Sequence, residues 1–438
     1  MSAAPAWRNW AGDQACTPAA VEHPASATEV AEAVGRARSA GRTLRVAGAG
    51  HSFTDAVLTD GTLLALDRMR RVLEIDRATG LARVEAGISL NELSEALWAH
   101  GLAFENLGDV DVQSIAGATA TATHGTGARL RNLSAALHAV ELVTADGGTV
   151  VVSEHDDAEA WRAARVSVGA LGVVTAVTLR AVPAFTLEGI DATAPLEDVL
   201  GRLDELADGN DHFELYVFPH SQLALMRTNN RIERAPAPPS RPRAWVDDVL
   251  LRNHVFGLAC AAGRRAPRLI PHLNRLLARA SGTTRRVDRS YRIFASPRLV
   301  RFTEMEYALP RERAAEAVRA VLAAAERRDF AVPFPIEVRF VAPDDAFLSP
   351  AGGRETCYIA VHMYRGMEWE PYFRAVEQVM DGFEGRPHWG KRHFQTAATL
   401  AGRYPEWDRF QAVRRRLDPD GLFANGYVRR VLGPPPAG

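Results

Sequence analysis

Four positions in the second half of the chain combine acid, base and fixed positive charge at spacings that suit a reaction site. In Ile336-Glu337-Val338-Arg339-Phe340 charged and apolar residues alternate, so Glu337 and Arg339 share one face of a strand. Such a pair fits either a surface ion pair or a cleft. Its apolar flanks favour the cleft, because buried charge is tolerated where it is paired and used. In Tyr358-Ile359-Ala360-Val361-His362-Met363-Tyr364 the same alternation gives Tyr358, Ala360, His362 and Tyr364 a common face. His362 is therefore a satisfied core histidine or an acid–base group. Lys391 follows His388-Trp389-Gly390 and offers a fixed cation, the kind of group that stabilises charge developing on an oxygen.

The first half supplies a different chemistry. Thr43-Leu44-Arg45-Val46 is an apolar run that leads into Ala47-Gly48-Ala49-Gly50-His51-Ser52-Phe53. A strand entering Gly-Ala-Gly admits positive φ and lets main-chain N–H groups approach a diphosphate. Two common phosphate loops are excluded: there is no Gly-Lys-Ser/Thr, and Phe53 stands where a dinucleotide GxGxxG turn needs its third glycine. A second small-residue stretch runs from Asn106-Leu107-Gly108-Asp109 through Gln113-Ser114-Ile115-Ala116-Gly117 to Thr123-His124-Gly125-Thr126-Gly127.

Other chemistries lack their residues. Despite 13 histidines there is no His-Glu-x-x-His, and His388 and His393 are five apart, so no metal site is expected. Cys16, Cys260 and Cys357 are odd in number and far apart, which argues against a disulfide framework. A formal charge of −1 over 438 residues argues against nucleic-acid binding. The uncharged runs are too short to span a bilayer, and residues 1–10 lack the pattern of a secretory signal, so the expected location is cytoplasmic.

The elements that must position these residues are mixed. Ser26-Ala27-Thr28-Glu29 and Ser89-Leu90-Asn91-Glu92 have capping-box spacing and predict helices that end near Gly41 and Gly101. Strands are expected over 43–47, 62–66, 72–75 and 81–85, with a hairpin of 140–144 and 149–152 around Ala145-Asp146-Gly147-Gly148 and a buried strand over 171–179. Beyond Phe185 the reading is helices over 196–207 and 312–327 and strands over 213–218, 336–341 and 356–364. The proline-rich 235–242 is a surface loop leading into a helical insertion over 245–280, which could meet a membrane surface but whose interspersed arginines favour an ordinary packed helix. The absence of regular βαβ alternation makes the fold class α+β.

Three ordered motifs carry a family resemblance: Gly48-Ala49-Gly50-His51-Ser52, the Asn106-Leu107-Gly108 to Thr123-His124-Gly125-Thr126-Gly127 stretch, and His388-Trp389-Gly390-Lys391. Together they resemble flavoproteins of the vanillyl-alcohol oxidase (PCMH) type, in the sugar-oxidising branch that includes the L-gulono-1,4-lactone, D-arabinono-1,4-lactone and alditol oxidases. The resemblance implies a two-subdomain FAD-binding domain over 10–184, an α+β substrate or cap domain over 185–395, and a segment over 396–438 that returns to the FAD domain. It implies FAD attached covalently through His51, with cofactor contacts from Val46, Ala47, Gly48, Ala49, Gly50, Ser52, Gly108, Asp109, Ser114, Ile115, Ala116, Gly117, Thr123, His124, Gly125, Gly127, Val174 and Lys391. Glu337, Arg339, His362 and Lys391 become the expected catalytic set, with Lys391 or His362 favoured to take the proton. The implied substrate is a small carbohydrate, foremost an aldono-1,4-lactone, with alditols as the alternative; Asp109 departs from both patterns and leaves ring against chain open. Gly108 stands where the family gates oxygen, which favours dioxygen as acceptor and hydrogen peroxide as product over a dehydrogenase. The oligomeric state stays open.

Overall fold

The computed structural model describes residues 6–327 and 329–435. Capping decides where the first helices begin. Ser26 accepts the Glu29 N–H at 3.2 Å and opens Ala27–Ser39, whose buried Val30, Ala33, Val34 and Ala37 recur at helical spacing. Ser89 and Glu92 cap one another reciprocally at the start of Leu90–Ala99.

Two larger sheets, beside two two-stranded ones, build the first half. Ala20–Glu22, Thr62–Ala65 and Leu44–Ala47 form a parallel three-stranded sheet with Thr62–Ala65 central, so the glycine turn leaves from an edge strand. Thr149–Ser153, Leu137–Val143, Val173–Arg180, Leu81–Glu85 and Val72–Asp76 form an antiparallel sheet in that order.

The second half is organised on one eight-stranded sheet in the order Thr284–Arg289, Thr186–Pro195, Leu223–Ile232, His212–Val217, Ile336–Val341, Thr356–Tyr364, Phe302–Pro310, Arg386–Pro387. Leu215, Val217, Met305, Tyr307, Ile336, Val338, Ile359 and Val361 point to one face and form a core with Ala314–Ala325 and Glu370–Asp381. Alternation then sends Glu214, Tyr216, Glu304, Glu306, Glu337, Arg339 and His362 to the opposite face.

Three expectations are corrected here. The helix expected over 196–207 is two, Leu196–Gly201 and Leu203–Asp208, because Arg202 leaves helical geometry (φ −121°, ψ 20°) directly after Gly201. Phe302–Pro310, unassigned from sequence, is a long internal strand. The insertion comprises Arg241–Ala244, a π-helical Trp245–Val255, Phe256–Arg265 and Ile270–Ala280, and many of its large apolar side chains face outward instead of packing.

The C-terminal segment closes back on the first half. The Leu44 N–H donates to the Leu422 carbonyl at 2.8 Å. Asn425 Nδ2 donates to the carbonyls of Asp55, Ala56 and Leu58 at 3.0, 3.2 and 2.8 Å. Among the described residues no helix is long and apolar enough to cross a membrane.

Candidate active site

The glycine turn is shaped by close approach. A Cβ at position 48 would lie 2.2 Å from Ser114 Oγ, so only glycine lets Leu44–Ala47 and the Ser114 loop come together. Gly50 has φ +69°, and its carbonyl accepts the Trp10 N–H at 2.8 Å. Between these small residues runs a cavity of about 120 Å³ lined by Val46, Gly48, Ala49, Gly50, Ser114, Ala116, Gly117 and Val174. It meets a larger cavity of about 460 Å³ at four shared walls, His51, Ser52, Gln113 and Thr121. A narrow cradle of main chain that opens into a broad chamber suits an extended dinucleotide carrying a flat ring system, with His51 at the junction. Burial, then Lys391 and Arg301, push the His51 pKa down to about 4, so the imidazole is neutral and keeps a free electron pair near pH 7. Its ring stacks on Trp10 with centroids 5.0 Å apart.

The larger chamber is walled by the polar face of the cap sheet. Register places Glu337 opposite both Tyr216 and Ala360, and Arg339 opposite both Glu214 and Tyr358. Glu304 pairs with His362, and Glu306 with Ala360, so small Ala360 separates the Glu306 and Glu337 carboxylates. Arg339 pairs with Glu337, holds Glu214 at 2.8 Å through Nε, and reaches Asp109 at 3.5 Å. Asp109 is in turn paired with Arg298, and its carbonyl accepts the Ser296 N–H at 3.2 Å. Asp109 is thus a charged tie between the two halves of the molecule. Burial opposes its ionisation, but Arg298 and Arg339 outweigh burial and hold its pKa below the ordinary value.

Lys391 arrives on a tight turn. Its N–H donates to His388 O at 3.0 Å, the Phe53 N–H donates to Gly390 O at 2.8 Å, and Trp389 Nε1 donates to Leu348 O at 2.6 Å. The lysine is therefore fixed to the loop that carries His51. Its Nζ pairs with Glu304, whose other oxygen lies 3.5 Å from His362 Nε2. His362 Nδ1 is 3.3 Å from the Pro335 carbonyl, which assigns a proton to that nitrogen. Burial by itself would lower the pKa of both cations; Glu304 more than offsets it, and both are raised. Glu304 is held low by the same pair against its own burial. Glu337 goes the other way: burial, with Asp109 and Glu214, raises its pKa to about 7 despite Arg339. Glu304 thus favours the protonated forms of Lys391 and His362, while burial favours the protonated form of Glu337.

The remaining expected positions divide. Gly108, Asp109, Thr123 and His124 line the larger chamber, His124 stacking on Tyr358 with centroids 3.7 Å apart. Ala47 and Ile115 lie in the core behind the cradle. Gly125 and Gly127 line neither cavity. Gly127 N–H donates to Phe340 O at 2.7 Å, and the Ala342 N–H donates to Leu130 O at 2.8 Å, so this stretch staples the first half to the Ile336–Val341 strand. Sequence reasoning missed Glu304, Glu306, Glu214 and Arg298. The alternation Thr303-Glu304-Met305-Glu306-Tyr307 was the available signal for the first two. His124, Glu306 and His388 bring ligating atoms within 4.8 Å of one another, the donor types of a metal site. His388 Nδ1, however, accepts the Gly390 N–H at 3.0 Å, which leaves the proton on Nε2, and burial pushes its pKa down to about 3. The trio reads as a hydrogen-bonded wall of the chamber.

The cradle and the chamber roofed by a separate antiparallel sheet belong to the vanillyl-alcohol oxidase fold class of flavoproteins, as the FAD-binding-domain match and the solved neighbours show. Cholesterol oxidase from Brevibacterium sterolicum shares this fold, with a TM-score of 0.83 over 98% of this chain and 96% of that one at 18% identity. The FAD-binding-domain family model matches residues 18–153, and the D-arabinono-1,4-lactone oxidase model matches 177–431. An L-gulono-1,4-lactone dehydrogenase of Mycobacterium tuberculosis is 53% identical over 98% of this chain and 100% of its own. L-gulonolactone oxidase of Bos taurus is 34% identical, covering 97% and 98%, and alditol oxidase of a Streptomyces species is 34% identical over the same shares. The chain belongs to the D-arabinono-1,4-lactone oxidase family and is an FAD-dependent oxidoreductase.

Proposed function

We propose that the protein oxidises a carbinol of an aldono-1,4-lactone and passes the electrons to dioxygen, giving hydrogen peroxide. The observation that carries the reading is the set of Lys391, Glu304, His362, Glu337 and Arg339 converging in one chamber beside the cradle. Bound FAD supplies a two-electron acceptor for the hydride leaving the carbinol carbon. Lys391 and His362, whose pKa values Glu304 raises against burial, orient the hydroxyl oxygen and stabilise the charge that grows on it as the C–H bond breaks. Glu337 receives the hydroxyl proton, and Arg339 sets the position of its carboxylate. The products are a carbonyl and two electrons with two protons, which dioxygen takes up as hydrogen peroxide.

The names of the relatives support a lactone substrate, and the charged, hydrogen-bonding walls support a polyhydroxylated one. Anaerobic loss of the flavin's visible absorbance across aldonolactones, alditols and free sugars tests this; bleaching by alditols alone overturns the lactone assignment. The dehydrogenase name of the 53% relative supports a second reading, in which a quinone or other carrier replaces dioxygen. Covalent attachment through His51 is part of the proposal, supported by the neutral ring at the junction of the two cavities. Acid-precipitated protein should keep its flavin and His51→Ala should release it; wild-type protein that loses flavin on denaturation rules the bond out.

A further inference from the structure

Residues 241–280 carry eight arginines and two aspartates, a formal charge of +6 in a chain whose net charge is −1. The helices they form turn mostly small or amide-bearing side chains inward: Asn253, Cys260, Gly263, Asn274 and Ala278 are buried, with Ile270 the one large apolar side chain among them. Asn253 Nδ2 donates to Pro297 O at 2.9 Å, and its Oδ1 accepts the Leu299 N–H at 2.7 Å. Asn274 Nδ2 donates to the carbonyls of Pro219 and Val332 at 3.2 and 2.9 Å. These bonds, with buried Ile270 and with Phe256 set against Phe218 and Phe334, pin the segment to the cap and leave most of its other large apolar side chains unused.

Seven of the large apolar side chains face outward. Trp245, Leu251, Leu258, Leu269 and Leu276 are 52%, 51%, 71%, 47% and 63% exposed. Among the described residues, seven of the twelve exposed large hydrophobic side chains fall in this one segment, which is a patch and not the scatter of an ordinary surface. Exposed Arg241, Arg243, Arg264, Arg265, Arg268 and Arg279 are interleaved with them. Leucine and tryptophan beside arginine is the composition of helices that lie in the headgroup layer of an anionic bilayer, where the apolar groups insert and the guanidinium groups stay with the phosphates. A second copy meeting the same patch would set its exposed arginines against the same arginines, which opposes self-association.

The patch is continuous with the entrance to the active site. Of the residues lining the larger chamber, the exposed ones are Leu251, Val255, Ala280, Gly282 and Thr284, all from this segment and the strand that follows it.

We propose that residues 241–280 dock the protein reversibly on an anionic lipid surface, with the mouth of the active-site chamber at the interface. Flotation of the flavin-loaded full chain with vesicles of phosphatidylcholine, alone or mixed with phosphatidylglycerol, tests it. The wild type rises with the anionic vesicles, less with the neutral ones, and is released as salt is raised. Leu258→Glu/Leu276→Glu and, separately, Arg265→Glu/Arg268→Glu lower the floated fraction roughly tenfold. Circular dichroism and flavin content of both variants match the wild type, because all four side chains are exposed. A wild type that stays at the bottom of the gradient, or a leucine variant that floats as well as the wild type, overturns the proposal. So does a dimer in sedimentation velocity that the same substitutions dissolve, since the patch then belongs to a second copy.

Discussion

Glu337 lies among opposing influences: burial, with Asp109 and Glu214, raises its pKa to about 7, while Arg339 and His362 pull it down. As the proposed proton acceptor it works only when ionised, so the rate of substrate-dependent flavin reduction is expected to rise with pH through about 7 and then level off. Glu337→Gln removes that limb and slows reduction by about 10²–10⁴-fold, with flavin still bound. Stopped-flow reduction across pH checks both; a limb that survives in the glutamine variant assigns the proton to another group. Gly108 makes a second prediction. Its φ is outside the left-handed region, so no turn requires glycine there, but an added Cβ would lie 3.1 Å from the His124 carbonyl and 3.5 Å from Thr123 Cγ2. Gly108→Ala is expected to slow reoxidation by dioxygen while reduction by substrate stays within about twofold and stability within about 1 kcal/mol. If melting temperature collapses and oxygen reactivity does not, Gly108 is a packing residue. At this scale sequence and structure agree where apolar flanks give a charged pair away. Glu337 and Arg339 were legible between Ile336, Val338 and Phe340, whereas Asp109 and Arg298 meet only through folding and carry no local pattern.

At the scale of elements, alternation was a sufficient signal for Ile336–Val341 and Thr356–Tyr364, whose observed bounds match those expected. It failed for Phe302–Pro310 because Glu304 and Glu306 suggest a solvated face, and in this sheet the polar face is covered by the flavin-binding half. Thr186–Pro195 and Leu223–Ile232 pair along their whole lengths, yet Gly189, Pro195 and Asn229-Asn230 interrupt any period of two. The insertion misled for the converse reason, since an apolar stripe looks the same in sequence whether it is packed or exposed. Arg45 looked like one polar residue in an apolar strand, and it is a hub. Its guanidinium donates to the carbonyls of Ala56, Gly169, Phe423 and Val168 at 2.8, 2.9, 2.7 and 2.9 Å. Burial pushes its pKa down to about 10, still far above neutrality, so the charge persists. Arg45→Met strands four carbonyl acceptors at the wall of the cradle and is expected to cost about 3 kcal/mol or more. Thermal unfolding read together with flavin retention checks it, and an unchanged melting temperature would show that water replaces the guanidinium.

At the scale of the whole molecule, the site is assembled from segments far apart in the chain. Trp10 and His51 come from its start, the polar face of the cap sheet from its middle, and Lys391 from near its end. Leu422, Phe423 and Asn425 then lock the strand and loop around Arg45 from behind. A chain ending at residue 395 lacks that lock and leaves the core residues Trp161 and Ala164 without Tyr404, Phe410 and Val413. Such a truncation is expected to retain no flavin after gel filtration, and one that stays yellow would show the cradle to be self-sufficient. The same closure bears on biosynthesis. While the last helix, Gly426–Leu432, is still within the ribosome, the backbone around the glycine turn is missing one wall, so the cofactor has nothing complete to enter. Loading thus follows emergence of residues 422–432, and a cell short of riboflavin should accumulate apoprotein that extends through them rather than chains stalled before them.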